Sequence, residues 1–201
     1  MDRTYPVREF SHLQGLKGIS DPQVEQHLKL YEGYVKQTNL IREQLHEMLA
    51  NNKTDSIAYA ELNRRLPFEQ NGMVLHERYF ENLVPGGSEI PKGGDLERLV
   101  GEHFGSVEQY KKDLMSMAKM RGVGWVLTLQ DPHTGWLANR WVTLHQDGNL
   151  AGHRVVLALD AGFVTGIYQS ARRPGSEHLA SLCGECQRGL SSVTEWLVHD
   201  R

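Results

Sequence analysis

The chain has 201 residues, 39% of them hydrophobic and 23% charged, the balance of a globular protein with a sizeable core. A formal net charge of −3 with no basic stripe argues against a nucleic-acid binder. The longest apolar runs, Trp125 to Leu129 and Val155 to Leu159, are far too short to span a bilayer, which excludes a helical membrane protein. The N-terminus, Met-Asp-Arg-Thr-Tyr-Pro, has no apolar signal core, so a cytoplasmic chain is expected.

A first helix is expected from Asp21 to about Asn51. Asp21-Pro22 suits its start, and Val24, Leu28, Tyr31, Val35 and Leu40-Ile41 recur at helical spacing. After the polar break at 51–55, a second helix is expected from Ser56 to Leu66, ending at a turn around Pro67. A third runs from Val74 to Leu83 and stops at Val84-Pro85-Gly86-Gly87. Beyond the Gly/Pro-rich stretch 85–94, two more helices are expected, Asp95 to His103 and Ser106 to Met120. In the latter, Ser106 and Gln109 form a capping-box pattern. The pattern then turns to strands: Gly124 to Leu129, Trp136 to Asn139, Trp141 to His145 and Val155 to Leu159. The last is apolar on both faces and reads as the central strand. Helices at about Gly162 to Ala171 and Glu177 to Val198 close the chain. The economical fold is α+β: a helical hairpin domain over residues 1–90, then an α/β domain over 91–201 with a three-stranded antiparallel sheet. Cys183 and Cys186 form Cys-Gly-Glu-Cys in a helical stretch with no second pair, and read as incidental.

Several segments, in order, resemble the iron/manganese superoxide dismutase family. His27-Leu-Lys-Leu-Tyr-Glu-Gly-Tyr34-Val-Lys-Gln-Thr-Asn39 is similar to the first metal-binding helix of that family. His76-Glu-Arg-Tyr-Phe-Glu-Asn-Leu83-Val-Pro85 is similar to the second. Phe104-Gly-Ser matches a helix start, and Gly122-Val-Gly-Trp125 resembles the glycine-rich turn whose tryptophan walls the metal pocket. The resemblance implies an iron or manganese ion held by His27, His76 and Asp160. Counted back from Asn39, Gln26 rather than His27 occupies the strict ligand position. In that register Tyr34 is the pocket-gate tyrosine; in the shifted one Tyr31 faces the pocket. Trp125 is then a pocket wall. His145 or Gln146 falls where the family hydrogen-bonds the metal-bound solvent.

The junction after the last strand departs from the family. There the family reads Asp-Val-Trp-Glu-His-Ala-Tyr, and both the Asp and the His are ligands. Here Asp160 is kept, but Gly162, Phe163, Val164 and Gly166 stand at the Trp, Glu, His and Tyr positions. A two-histidine, one-carboxylate set with open positions suits a first-row metal that binds oxygen and substrate together. The leading expectation is therefore a metal-dependent oxidoreductase acting on oxygen and a small organic substrate. The alternatives are a superoxide dismutase with altered ligands and a metal-free binding protein. The resemblance also implies a homodimer. Asp160 suits a helix N-cap as well as a ligand. His153 is a conceivable substitute ligand, whereas His46, His103, His133, His178 and His199 read as surface residues, and Glu77 as a solvated charge.

Overall fold

The computed structural model describes residues 4–16, 19–85, 90–148 and 152–161. The two closing helices expected from the sequence, the cysteine pair and residues 162, 163, 164 and 166 lie outside them. Two long antiparallel helices, α1 (Asp21–Ala50) and α2 (Ile57–Asn82), form the first half; α3 (Asp95–Phe104) and α4 (Val107–Ala118) follow. The strands β1 (Trp125–Gln130), β2 (Leu137–Val142) and β3 (Arg154–Asp160) make an antiparallel sheet of order β2-β1-β3. The expected α+β architecture is thus present.

α1 starts one residue earlier than Asp21-Pro22 suggests. Ser20 is the cap, and its backbone N–H donates to the Gln23 side chain at 2.9 Å in a capping box. His27, Tyr31, Val35, Thr38 and Ile41 are buried at intervals of three and four, one face of a 3.6-residue helix. The expected break at Pro67 is absent: α2 runs through it without interruption, merging the two predicted helices. Pro67 is exposed, and so is Asn63, whose carbonyl loses its helical donor; water can satisfy it there. The buried stripe Glu69, Met73, His76 and Phe80 then carries the helix onward against the core.

The two predicted runs either side of Arg140 are a single strand, β2, paired to β1 from Trp125↔Val142 to Gln130↔Leu137. β3 is not central. β1 is, with β3 on its other side from Trp125↔Asp160 to Gln130↔Arg154 and an irregularity at Thr128/Leu129. The apolar run in β3 reflects coverage of its faces, one of them by α2, and such coverage does not require a paired strand on each edge. One hydrophobic core joins the N-terminal segment (Phe10, Leu13), the hairpin (Tyr31, Tyr79, Phe80) and the sheet (Trp125, Leu127, Leu157). No helix among the described residues is long and apolar enough to cross a membrane.

Candidate metal centre

Three side chains from three elements converge where the hairpin meets the sheet. His27 comes from the second turn of α1, His76 from the last two turns of α2, and Asp160 from the end of β3. One donor atom from each lies within 4.8 Å of the other two, and the His27 Nε2 to Asp160 Oδ2 distance is 3.3 Å. Both histidines are buried, and the two rings meet edge to face at 4.9 Å.

His76 is fixed in one tautomer. Its Nδ1–H donates to the Gly72 carbonyl at 2.6 Å, one helical turn back, which puts the lone pair on Nε2. That Nε2 is buried with no hydrogen-bond partner among the described residues. Burial, then the neighbouring His27, push its pKa down to about 3, so the ring is neutral and able to bind a metal. A buried imidazole lone pair facing another imidazole and a carboxylate fits a first-row cation, and fits nothing apolar.

The junction that places Asp160 depends on a glycine. Asp160 pairs with Trp125 across β1–β3, and the next amide, Ala161 N–H, donates to the Gly124 carbonyl at 2.9 Å. A Cβ on Gly124 would collide with the Val142 carbonyl oxygen, so only glycine lets β1 begin this close to β2.

A cavity of about 480 Å³ opens over the cluster, lined by His27, His76 and Asp160 together with Tyr34, Trp125 and His145. Trp125 packs edge-on to His76 at 5.0 Å, as a wall. Tyr34 lies 5.1 Å from the His76 ring and 4.9 Å from His145. Burial raises the Tyr34 pKa and lowers that of His145, so both are neutral near pH 7. His145 is fixed by its Nδ1 against the Phe68 carbonyl at 3.2 Å and by Asn71, which donates to the His145 carbonyl at 2.9 Å. Gly72 makes this crowding possible: a Cβ there would come within 2.7 Å of both His145 and Tyr34.

The remaining sequence candidates fall elsewhere. Tyr31 does not line the cavity; it faces the N-terminal segment and Phe80. The seven-residue step from His27 to Tyr34 is almost two full turns, so His27 can point at the cluster while Tyr34 keeps its pocket position. Gln26, at the strict ligand register, is exposed at the cavity rim. Gln146 is half-buried beside His145 and outside the lining, with its Oε1 unpartnered among the described residues. His153 is far from the cluster in pairing terms, 3.9 Å from Asp131 at the opposite end of β3. Two expectations are corrected. Glu77 is not a solvated charge: its carboxylate accepts from the Tyr31 hydroxyl at 2.8 Å. His103 is half-buried, accepting from Leu137 N–H at 3.1 Å and stacking on Trp136. Phe68, Thr143 and Leu144 line the cavity without any sequence signal: Phe68 lies on α2 about two turns before His76, and the other two follow β2.

The fold and donor set define a class: an α+β protein with a two-histidine, one-carboxylate site between a helical hairpin and a three-stranded sheet. No family model matches the chain. It is 36% identical over 148 residues to a superoxide dismutase [Fe] of Cupriavidus metallidurans, spanning 72% of this chain and 73% of that protein. With a superoxide dismutase [Fe] of Aquifex aeolicus it shares 31% over 163 residues, 78% and 76% of the two chains. With superoxide dismutase [Mn] 2 of Haloferax volcanii it shares 34% over 130 residues, 65% and 63%. The chain belongs to the iron/manganese superoxide dismutase family.

Proposed function

We propose that His27, His76 and Asp160 hold one iron or manganese ion and that the chain is an oxidoreductase acting on superoxide. The observation that carries this reading is the buried, proton-free Nε2 of His76 aimed at a second histidine and a carboxylate. The names of its relatives supply the substrate. When bound, such an ion would supply one-electron oxidation and reduction. The chain's own residues do the rest. Trp125 and Phe68 keep bulk water from the cluster. Tyr34 and His145, both neutral and in ring contact, are the groups that carry protons in the cavity. We assign that role to His145 rather than Gln146, because only His145 lines the cavity.

Oxygen chemistry on a small organic substrate has one supporting feature, a cavity of about 480 Å³, large enough for more than a diatomic anion. The homodimer reading likewise rests on one feature: exposed Leu30, Val123 and Leu144 ring the cavity mouth.

Metal analysis of protein reconstituted anaerobically with iron or manganese tests the site; the expected result is about one ion per chain. A folded chain that takes up neither overturns it. Superoxide removal approaching the diffusional ceiling of about 10⁸–10⁹ M⁻¹s⁻¹ would support superoxide over an organic substrate.

A further inference from the structure

We infer that Tyr31 is a positioning residue for the metal centre, its hydroxyl cross-bracing the two helices that carry His27 and His76. The inference rests on the metal-site reading above.

The Tyr31 hydroxyl is a junction of three chain segments. It donates to Glu77 Oε1 on α2 at 2.8 Å and accepts from the backbone N–H of Arg8 in the N-terminal segment at 3.1 Å. Tyr31 is fully buried, packed against Phe10 and Phe80. Its position is one turn beyond His27 on α1, and Glu77 immediately follows His76 on α2. The brace therefore lies within one turn of both ligands, outside the cavity lining. Arg8 completes it, pairing with Glu81 at 2.6 Å and with Glu77 at 3.5 Å. A hydrogen bond to a partly buried carboxylate is stronger than a neutral one, and its geometry is specific. The N-terminal segment is clamped further along by a reciprocal pair: Tyr5 N–H donates to Asn39 Oδ1 at 2.8 Å, and Asn39 Nδ2 donates to the Tyr5 carbonyl at 2.9 Å. Hydrophobic packing alone tolerates small slides of one helix past another, whereas ligand atoms within 4.8 Å of each other tolerate little. The brace removes that slide.

The test is a Mn²⁺ titration of the full chain, with free ion read by electron paramagnetic resonance, on wild type, Tyr31→Phe, Glu77→Gln and Tyr110→Phe. Tyr110 makes a comparable buried phenol hydrogen bond, to Thr128 at 2.9 Å, away from the cavity, and so controls for simple destabilisation. The expected result is a loss of about tenfold in Mn²⁺ affinity for Tyr31→Phe, the lower end of what outer partners contribute. The bound-ion spectrum should broaden as well. Glu77→Gln, which keeps an acceptor for the hydroxyl, should retain most of the affinity, and Tyr110→Phe all of it. Equal affinity and spectrum in wild type and Tyr31→Phe overturn the brace. So does an equal loss in Tyr110→Phe. Failure of wild type itself to bind Mn²⁺ overturns the metal-site reading, and the brace with it.

Discussion

Among the described residues, two buried polar clusters end differently. Between α4 and the sheet, Tyr110, Thr128 and Asn139 form a closed chain. Tyr110 and Thr128 share a bond at 2.9 Å, Thr128 donates to Asn139 at 2.7 Å, and Asn139 donates outward to Asp113 at 2.9 Å. Every step has a partner, and no cavity adjoins it among those described. At the head of the hairpin, His76 spends one nitrogen on Gly72 and points the other at His27, Asp160 and a cavity. A closed cluster costs nothing further and specifies packing; an open one carries a desolvation cost that only a ligand can offset. The contrast separates structural from functional polarity without reference to any relative.

The largest effect expected from breaking this contrast is at the open cluster. His76→Ala should lower Mn²⁺ affinity by at least about 100-fold, beyond the usual effect of partners behind a ligand, with helical circular dichroism retained. At the closed cluster, Thr128→Val should do the reverse. It removes the Tyr110–Thr128 bond and leaves the Asn139 Oδ1 without the Thr128 donor, costing about 1–3 kcal/mol in urea denaturation, with metal content unchanged. Gly124→Ala should do both. The collision with the Val142 carbonyl costs about 1–3 kcal/mol as overpacking, and the shifted junction carries Asp160 out of place. Gly72→Ala should leave stability nearly unchanged, since alanine's helix propensity offsets about 1 kcal/mol of the crowding. It should nonetheless separate Tyr34 from His145, which a shift in the pH profile of superoxide removal would reveal.

A further expected effect is on the pH dependence of the metal-free protein. His76 binds a proton below about pH 3 when folded but near its ordinary 6.5 when unfolded. Between those values the unfolded state holds more protons, so stability falls as pH falls from about 6.5 toward 3. Urea midpoints from pH 7 to pH 4 measure it, and His76→Ala should flatten the curve. An unchanged slope in that variant would locate the acid sensitivity elsewhere.

Much of the fold was present in local pattern. α1, α3, α4 and the existence of a small antiparallel sheet follow from caps, three-and-four spacing and β-branched runs. The convergence of His27, His76 and Asp160 was implied by the family resemblance of the motifs around them, not by local pattern. Local rules failed where solvent or distant segments decide. Pro67 is a breaker by propensity, yet its lost bond falls on the wet side of α2, and the buried stripe that follows holds the helix together. The apolar run in β3 looked central, because a sequence shows that both faces are covered but not what covers them.

By itself the sequence offered candidate metal donors through a family resemblance, two imidazoles and a carboxylate on three separable elements, and left His27 in competition with Gln26. Periodicity and capping fix the elements that carry them. Only the tertiary structure decided which tyrosine faces the cavity and which one braces the helices behind it. Tyr31 and Tyr34 are a single turn apart on α1, and local spacing gives both a claim to the pocket. The choice was made by Phe10, Phe80 and Glu77 on one side and by Gly72, His145 and Trp125 on the other. Those contacts join residues as far apart as Tyr34 and His145, and no local rule reaches that far.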